Sequence, residues 1–463
     1  MEKEYLIGEK PLKALLIFAL PMIIGNLFQQ LYTMVDSVVV GRFVGEEALA
    51  AVGASYSLTT VFISIAIGGG IGASVITSLY FGAGNYPKMK GSVRTALLSF
   101  LILSIVLGAV GLMFSEQIMI WLNTPENVLE QATEYLNIYF MGLPFLFMYN
   151  VLSSMFNALG RSRIPLYLLI GSSVLNILLD IFTVRGLEMG VAGVAWATLI
   201  AQSISAICSF LLLLRELRGY RDTEALRGDA KESHIEKTAR EKRRQWFDRT
   251  EFVNMARVAC PSVLQQSTVS IGMLMVQSVV NRFGSEVLAG FSAGSRVESL
   301  CIVPMAAMGN AISSYTAQNI GAKEFDRVRQ GYRKGYVIVL EFAVLICIGL
   351  EIGYRPLVEL FLGEDGTILA MQTGMAYLRF IGWFFVLIGL KMLTDGVLRG
   401  AGDMKMFTVA NMVNLGIRVI MAIILAPRFG VAMVWVAVPI GWLANYVISF
   451  AEYRTGRWMK KNL

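Results

Sequence analysis

The sequence predicts an all-α polytopic membrane protein, with twelve transmembrane helices in two pseudo-symmetric six-helix bundles around a central cleft. Composition is the first observation behind this reading. Of 463 residues, 56% are hydrophobic and 16% charged, with a mean hydropathy of +0.61, whereas soluble domains carry roughly 25% charge. Second, weakly charged runs of about twenty residues, long enough to cross a bilayer, recur from end to end. The third is a repeat: Pro21 matches Pro261, Gly142 matches Gly382, and Gly190-Val191-Ala192 matches Gly430-Val431-Ala432, each pair 240 residues apart. Val39-Val40-x-Arg42-Phe43 and Val279-Val280-x-Arg282-Phe283 keep that offset. After a one-residue slip, Glu47-x-Leu49-Ala50 pairs with Glu286-x-Leu288-Ala289 and Gly82-Ala83 with Gly321-Ala322.

In chain order the expected spans are 12–35, 49–81, 93–114, 132–159, 165–184 and 191–214 in the first half. The second half holds 252–280, 287–320, 332–354, 368–398, 406–426 and 431–453. The second and eighth exceed the length a bilayer requires and are expected to tilt, bend or project. Pro21, Pro144, Pro261 and Pro304 fall inside spans and are expected to kink or locally open them. The first run is too long for a cleavable leader and has a mid-chain counterpart, so it belongs to the fold.

Lysine and arginine set the orientation. Alternate connections carry about thirty of them against five in the other set, which places both termini in the cytoplasm. The net charge of +7 is then a consequence of topology and implies no nucleic-acid partner. The one long polar stretch is dense in both signs and is read as a cytoplasmic linker, giving an N-lobe 1–214, a linker 215–251 and a C-lobe 252–463. With six spans per half and the linker inside, the halves insert the same way, as parallel repeats.

Several function classes recede. The four cysteines lie in or beside apolar runs without paired spacing and read as small buried residues, and the single histidine, His234, sits in the charged linker. No metal site and no enzymatic centre are expected. No GxxxxGK[ST] loop accompanies a soluble domain, so no nucleotide cofactor is expected.

The stretch PMIIGNLFQQLYTMVD, residues 21–36, places Asn26, Gln29, Gln30, Tyr32 and Asp36 within one span. A carboxylate in hydrocarbon costs at least about 2.5–3.5 kcal/mol on insertion scales and so marks function. Asn176 and Asp180 are four apart and share a helix face. In the second half, Lys391 and Asp395 have the same spacing and can form an internal ion pair. Gln29, Tyr32, Tyr139, Tyr149, Met273 and Met305 are candidates for an adaptable, aromatic substrate surface. The glycine clusters Gly68–Gly72 and Gly349-x3-Gly353 are read as close helix packing.

The 21–36 stretch, Val38-Val39-Val40-Gly41-Arg42, Gly68-Gly69-Gly70-Ile71-Gly72, Asn157-Ala158-Leu159-Gly160-Arg161-Ser162 and Leu175-Asn176-Ile177-Leu178-Leu179-Asp180 together resemble the multidrug and toxic compound extrusion (MATE) family over nearly the whole chain. The resemblance implies a V-shaped two-lobed monomer in the cell membrane. It also implies efflux of organic, often cationic, small molecules against inward proton (favoured) or sodium flow, a flippase for a lipid-linked precursor being the alternative. It places the coupling site at Asp36, Asn176, Asp180 and Thr198, with sodium at Asp36 and Asp180 if sodium is the ion. Two carboxyls, an amide and a hydroxyl in hydrocarbon can hold a proton or offer oxygens to a cation. The C-lobe departs from the pattern, since Gln265 and Gln266 stand where an acidic partner for Asp395 is expected. At the 240 offset Asp36 falls on Val276, which assigns coupling to the N-lobe.

Overall fold

A computed structural model describes residues 4–39, 46–122, 124–220, 247–363 and 366–459, the side chains of 34–39, 46–50 and 57 excepted. After a short helix α1 (Tyr5–Gly8) come α2 (Pro11–Val39), α3 (Glu46–Gly82), α4 (Tyr86–Trp121), α5 (Glu126–Ala158), α6 (Arg163–Ile181) and α7 (Gly190–Arg218). The second half contributes α8 (Arg249–Val280), α9 (Ser285–Gly321), α10 (Phe325–Leu362), α11 (Ile368–Gly382), α12 (Phe385–Gly400), α13 (Met404–Phe429) and α14 (Ala432–Thr455). No strand occurs among the described residues.

Ten of these helices are long and apolar enough to cross a membrane, and α11 with α12 makes an eleventh span bent by 54°. The remaining one, α9, eighth in order, has 37 residues, carries Glu286, Arg296 and Glu298, and falls short on apolarity. The overlong spans are more numerous than expected, since α4 has 36 residues and α10 has 38.

The chain forms two compact units, one of Met1–Ile23 with Leu264–Leu463, the other of Ile24–Val263. Helices α2 and α8 therefore each pass from one unit to the other, at Ile23–Ile24 and Val263–Leu264, again 240 residues apart. The exchange of these two half-helices is what distinguishes the units from the halves read off the repeat.

In the 24–263 unit, α5 packs on α3, α4 and α7 around Leu136, Phe140, Leu143 and Phe147, with Phe62 edge-on to Phe140 at 5.5 Å. The first turns of α8 lie against α3 with almost no side chain between them. A Cβ at Gly68 would come 2.7 Å from Val263 Cα, and one at Gly72 2.3 Å from Ala259 Cα. That bears out the packing role expected for this cluster. Gly349 departs from the parallel expectation, because nothing lies within 4 Å of a Cβ built there. Asp248 caps α8, accepting from the backbone N–H of Thr250 at 2.8 Å and of Glu251 at 3.3 Å. Tyr80 Oη donates to Glu251 Oε1 at 2.9 Å and the Asp248 N–H donates to Thr95 Oγ1 at 3.1 Å, tying the start of α8 to α3 and α4.

In the other unit α9 packs on α10, α11 and α12. A Cβ at Gly396 would meet Gly309 O at 2.3 Å, and one at Gly400 would meet Ser313 O at the same distance. The repeat thus brings its second and fourth helices together through equivalent glycines, since a Cβ built at Gly70, the slipped counterpart of Gly309, would lie 2.7 Å from Ser154 Oγ.

A continuous span over 368–398 is not what forms. The chain breaks at Trp383–Phe384, where Phe384 N–H bonds Ile381 O and Leu387 N–H bonds Phe384 O in tight three-residue turns. Successive rings go to different places: Phe385 is fully buried against Trp442, whereas Trp383 is exposed. The repeat position in the first half, Gly142-Leu143-Pro144, lies inside the continuous α5, and α2, α8 and α9 likewise run through their prolines. The sharp break falls at aromatic residues, not at a proline, contrary to the usual association. The cysteines also differ from expectation. Cys208 and Cys260 are exposed and Cys301 and Cys347 half-buried, because they lie on helix faces that are not packed into a core.

Candidate functional site

Within the 24–263 unit the structure brings Asn176, Asp180 and Thr198 together and adds Tyr32. Asn176 and Asp180 stack one turn apart on α6, 2% and 0% exposed, and Thr198 faces them from α7. In one orientation of the Asn176 amide, Oδ1 accepts from Tyr32 Oη and Nδ2 donates to Thr198 Oγ1 at 3.3 Å. In the reversed orientation Nδ2 donates to Asp180 Oδ2 at 3.3 Å and Oδ1 accepts from the Thr198 backbone N–H at 3.1 Å, which satisfies both ends of the amide. Asp180 can donate when protonated and only accept when ionised, so its state and the direction of the amide are linked.

Local structure holds this arrangement. α2 meets α6 at Gly25, where a Cβ would make ordinary contacts with Leu166 Cδ1 at 3.6 Å and Leu169 Cδ2 at 3.8 Å. Just beyond Asp180 the helix widens into a π turn, Phe182–Gly186, the kind of distortion often found at functional sites. Thr183 closes it, donating to Leu179 O at 2.9 Å and Gly193 O at 3.0 Å. A cavity of about 20 Å³ lined by Thr198, Tyr139, Gly142 and Gln202 adjoins the cluster, room for one water molecule.

Asp36 lies on α2 four residues after Tyr32, and its side chain falls outside the described residues. Gln29 is exposed, while Tyr139, which donates to Thr59 O at 3.2 Å, and Tyr149 are half-buried. Met273 is exposed on α8, whereas Met305 is fully buried beneath α12, its Sδ 2.9 Å from a Cβ built at Gly389.

The other unit contains a second buried polar cluster, larger than the sequence suggested. Lys391 Nζ lies 3.6 Å from Asp395 Oδ2, with both side chains under 5% exposed. Asn411 Nδ2 donates to Asp395 Oδ2 at 3.1 Å, Ser449 Oγ donates to Oδ1 at 2.6 Å, and Gln265 Nε2 reaches Asn411 Oδ1 at 3.4 Å. Among the described hydrogen bonds Gln265 joins this cluster and the Gln266 side chain does not. Beside it the hydroxyls of Thr394, Tyr332, Tyr336 and Tyr446 form a chain with spacings of 2.7, 2.9 and 2.6 Å. Asn411, Ser449 and the tyrosine chain were not foreseen. Their only trace in the sequence is lone polar residues in apolar spans, on helices far apart along the chain.

The MatE family description matches residues 21–182 and 261–424, two segments that begin at Pro21 and Pro261, the anchors of the repeat. A probable multidrug resistance protein of Bacillus subtilis, YoeA, is 29% identical over 97% of this chain and 95% of its own length. A second from that organism, YpnP, is 28% identical over 98% and 97%. Among solved structures, a MOP superfamily transporter from Pyrococcus furiosus superposes with a TM-score of 0.88 at 24% identity, covering 100% of this chain and 99% of that one. The chain belongs to the MatE family and is an integral membrane transporter, not an enzyme.

Proposed function

We propose that the chain is a secondary active antiporter that exports organic, often cationic, small molecules in exchange for protons by alternating access. The observation that carries this reading is Asp180, a fully buried carboxyl sharing one hydrogen-bonded cluster with Asn176, Tyr32 and Thr198. Ionised, Asp180 accepts from the Asn176 amide; protonated, it donates, and the amide reverses what it offers to Tyr32 and Thr198. Because Tyr32 lies on α2, a proton on α6 changes how firmly that helix is held. Asp36, one turn further along α2, joins the cluster in this scheme. A proton needs no ligands beyond those present, which favours H⁺ over Na⁺ as the coupling ion. For a neutral substrate, one charge moving through 100 mV supplies about 2.3 kcal/mol, enough to sustain a gradient of more than tenfold; one-for-one exchange with a monovalent cation moves no net charge and draws on the pH difference alone. No cofactor takes part.

The multidrug-resistance names of the relatives support drug efflux over transport of a lipid-linked precursor. In this reading the protein is a monomer of the cell membrane with both termini cytoplasmic, lobes 1–214 and 252–463, and a cytoplasmic linker 215–251. Substrate efflux from proteoliposomes under separately imposed gradients is the test. Efflux is expected with an inward proton gradient at equal sodium. Efflux driven by sodium alone at equal pH would overturn the choice of ion.

A further inference from the structure

Where α11 gives way to α12, the bend leaves a groove of about 450 Å³ against α10. One side is a single stripe of α10, Leu340, Val344, Ile348 and Ile352, each about half exposed or more; Gly382 and Trp383 form the other. The stripe from Leu340 to Ile352 runs along about 18 Å of α10, the rise of twelve helical residues. The groove is apolar except at the Ile352 end. There Trp383 Nε1 donates to Glu351 Oε1 at 2.9 Å, and Arg379 Nε lies 3.6 Å from Glu351 Oε2. The Arg379 side chain is 57% exposed and its guanidinium lies over the Tyr354 ring, 5.1 Å from the centroid. Trp, Tyr and Arg at one level of a spanning helix are the residues that sit at head-group depth.

We propose that this groove is a phospholipid site, with one acyl chain lying along the α10 stripe and the phosphate on Arg379. The walls belong to helices long and apolar enough to cross a membrane, and the exposed apolar stripe of about 18 Å matches the length of an extended acyl chain. The half-exposed cation at the polar end complements a phosphate. Glu351 is already engaged by Trp383 and Arg379, which disfavours an organic cation there. At the equivalent position in the first half α5 runs unbroken through Gly142–Pro144, so no such bend forms there.

The test is photo-crosslinking of the full chain in bilayers containing phosphatidylcholine with a diazirine on the acyl chain, followed by peptide mapping. Labelling of 340–352 and 383–386 is expected to exceed severalfold that of the equally exposed α4 face at Ile102, Ile105 and Val106. Val344→Trp, at a half-exposed position in the middle of the stripe, is expected to remove the excess while α4 labelling stays constant. Arg379→Gln is expected to lower it. Equal labelling of groove and α4, or an excess unchanged by Val344→Trp, would overturn the proposal.

Discussion

Lys391→Met removes the cation from a buried pair and leaves Asp395 to its remaining partners. Breaking such a pair costs about 3–5 kcal/mol, because one charge is left uncompensated in a medium that solvates it poorly. Here Asp395 keeps Asn411 Nδ2 at 3.1 Å and Ser449 Oγ at 2.6 Å. The expected cost is therefore at the low end, about 3 kcal/mol. Asp395→Asn alone leaves Lys391 as the unmatched charge and is expected to cost as much. The double variant carries no charge, so its loss is expected to be smaller than either single loss, a coupling of about 2 kcal/mol or more. Thermal unfolding of the purified protein, followed by the fraction remaining monodisperse after heating, reads all four forms. A Lys391→Met protein as stable as the parent, or a double variant whose loss equals the sum of the singles, would refute the idea that this pair is held by mutual neutralisation.

Other outcomes follow from particular contacts. Gly72→Ala places a methyl 2.3 Å from Ala259 Cα and is expected to cost about 1–3 kcal/mol by overpacking, measured by the same unfolding assay. Gly349→Ala, with nothing within 4 Å, is expected to be neutral or to gain up to about 1 kcal/mol from helix propensity. Tyr80→Phe takes the donor from the buried Glu251 carboxylate, at about 1–3 kcal/mol. It is expected to speed hydrogen exchange of the α8 amides near 249–263, leaving those of α6 unchanged.

The hydropathy runs and the offset of 240 made the helix order legible, because burial in hydrocarbon constrains composition directly and a duplicated scaffold keeps its proline and glycine anchors. The break in α11–α12 was not legible. No proline marks it, and the contact that Phe385 makes just after the break, with Trp442, lies 57 residues away in sequence. The apolarity shortfall of α9 was visible in Arg296 and Glu298 but was outweighed by its length. Of the candidate site, Asn176 and Asp180 could be paired from their spacing, since a helix face is a local property. Tyr32, read as a candidate for the substrate surface, also bonds Asn176, a partnership between α2 and α6 that no local spacing reveals. The C-half cluster was legible only as Lys391 and Asp395. Asn411 and Ser449 reach Asp395 from two other helices, and nothing in their own surroundings distinguishes them.

The claim that coupling resides in the first half is tested most directly by substrate-driven proton movement in proteoliposomes of Asp180→Asn beside Asp395→Asn. The account predicts that Asp180→Asn binds substrate but moves no protons with it, while Asp395→Asn, corrected for the amount of folded protein, still couples. Full proton-coupled transport by Asp180→Asn would contradict it.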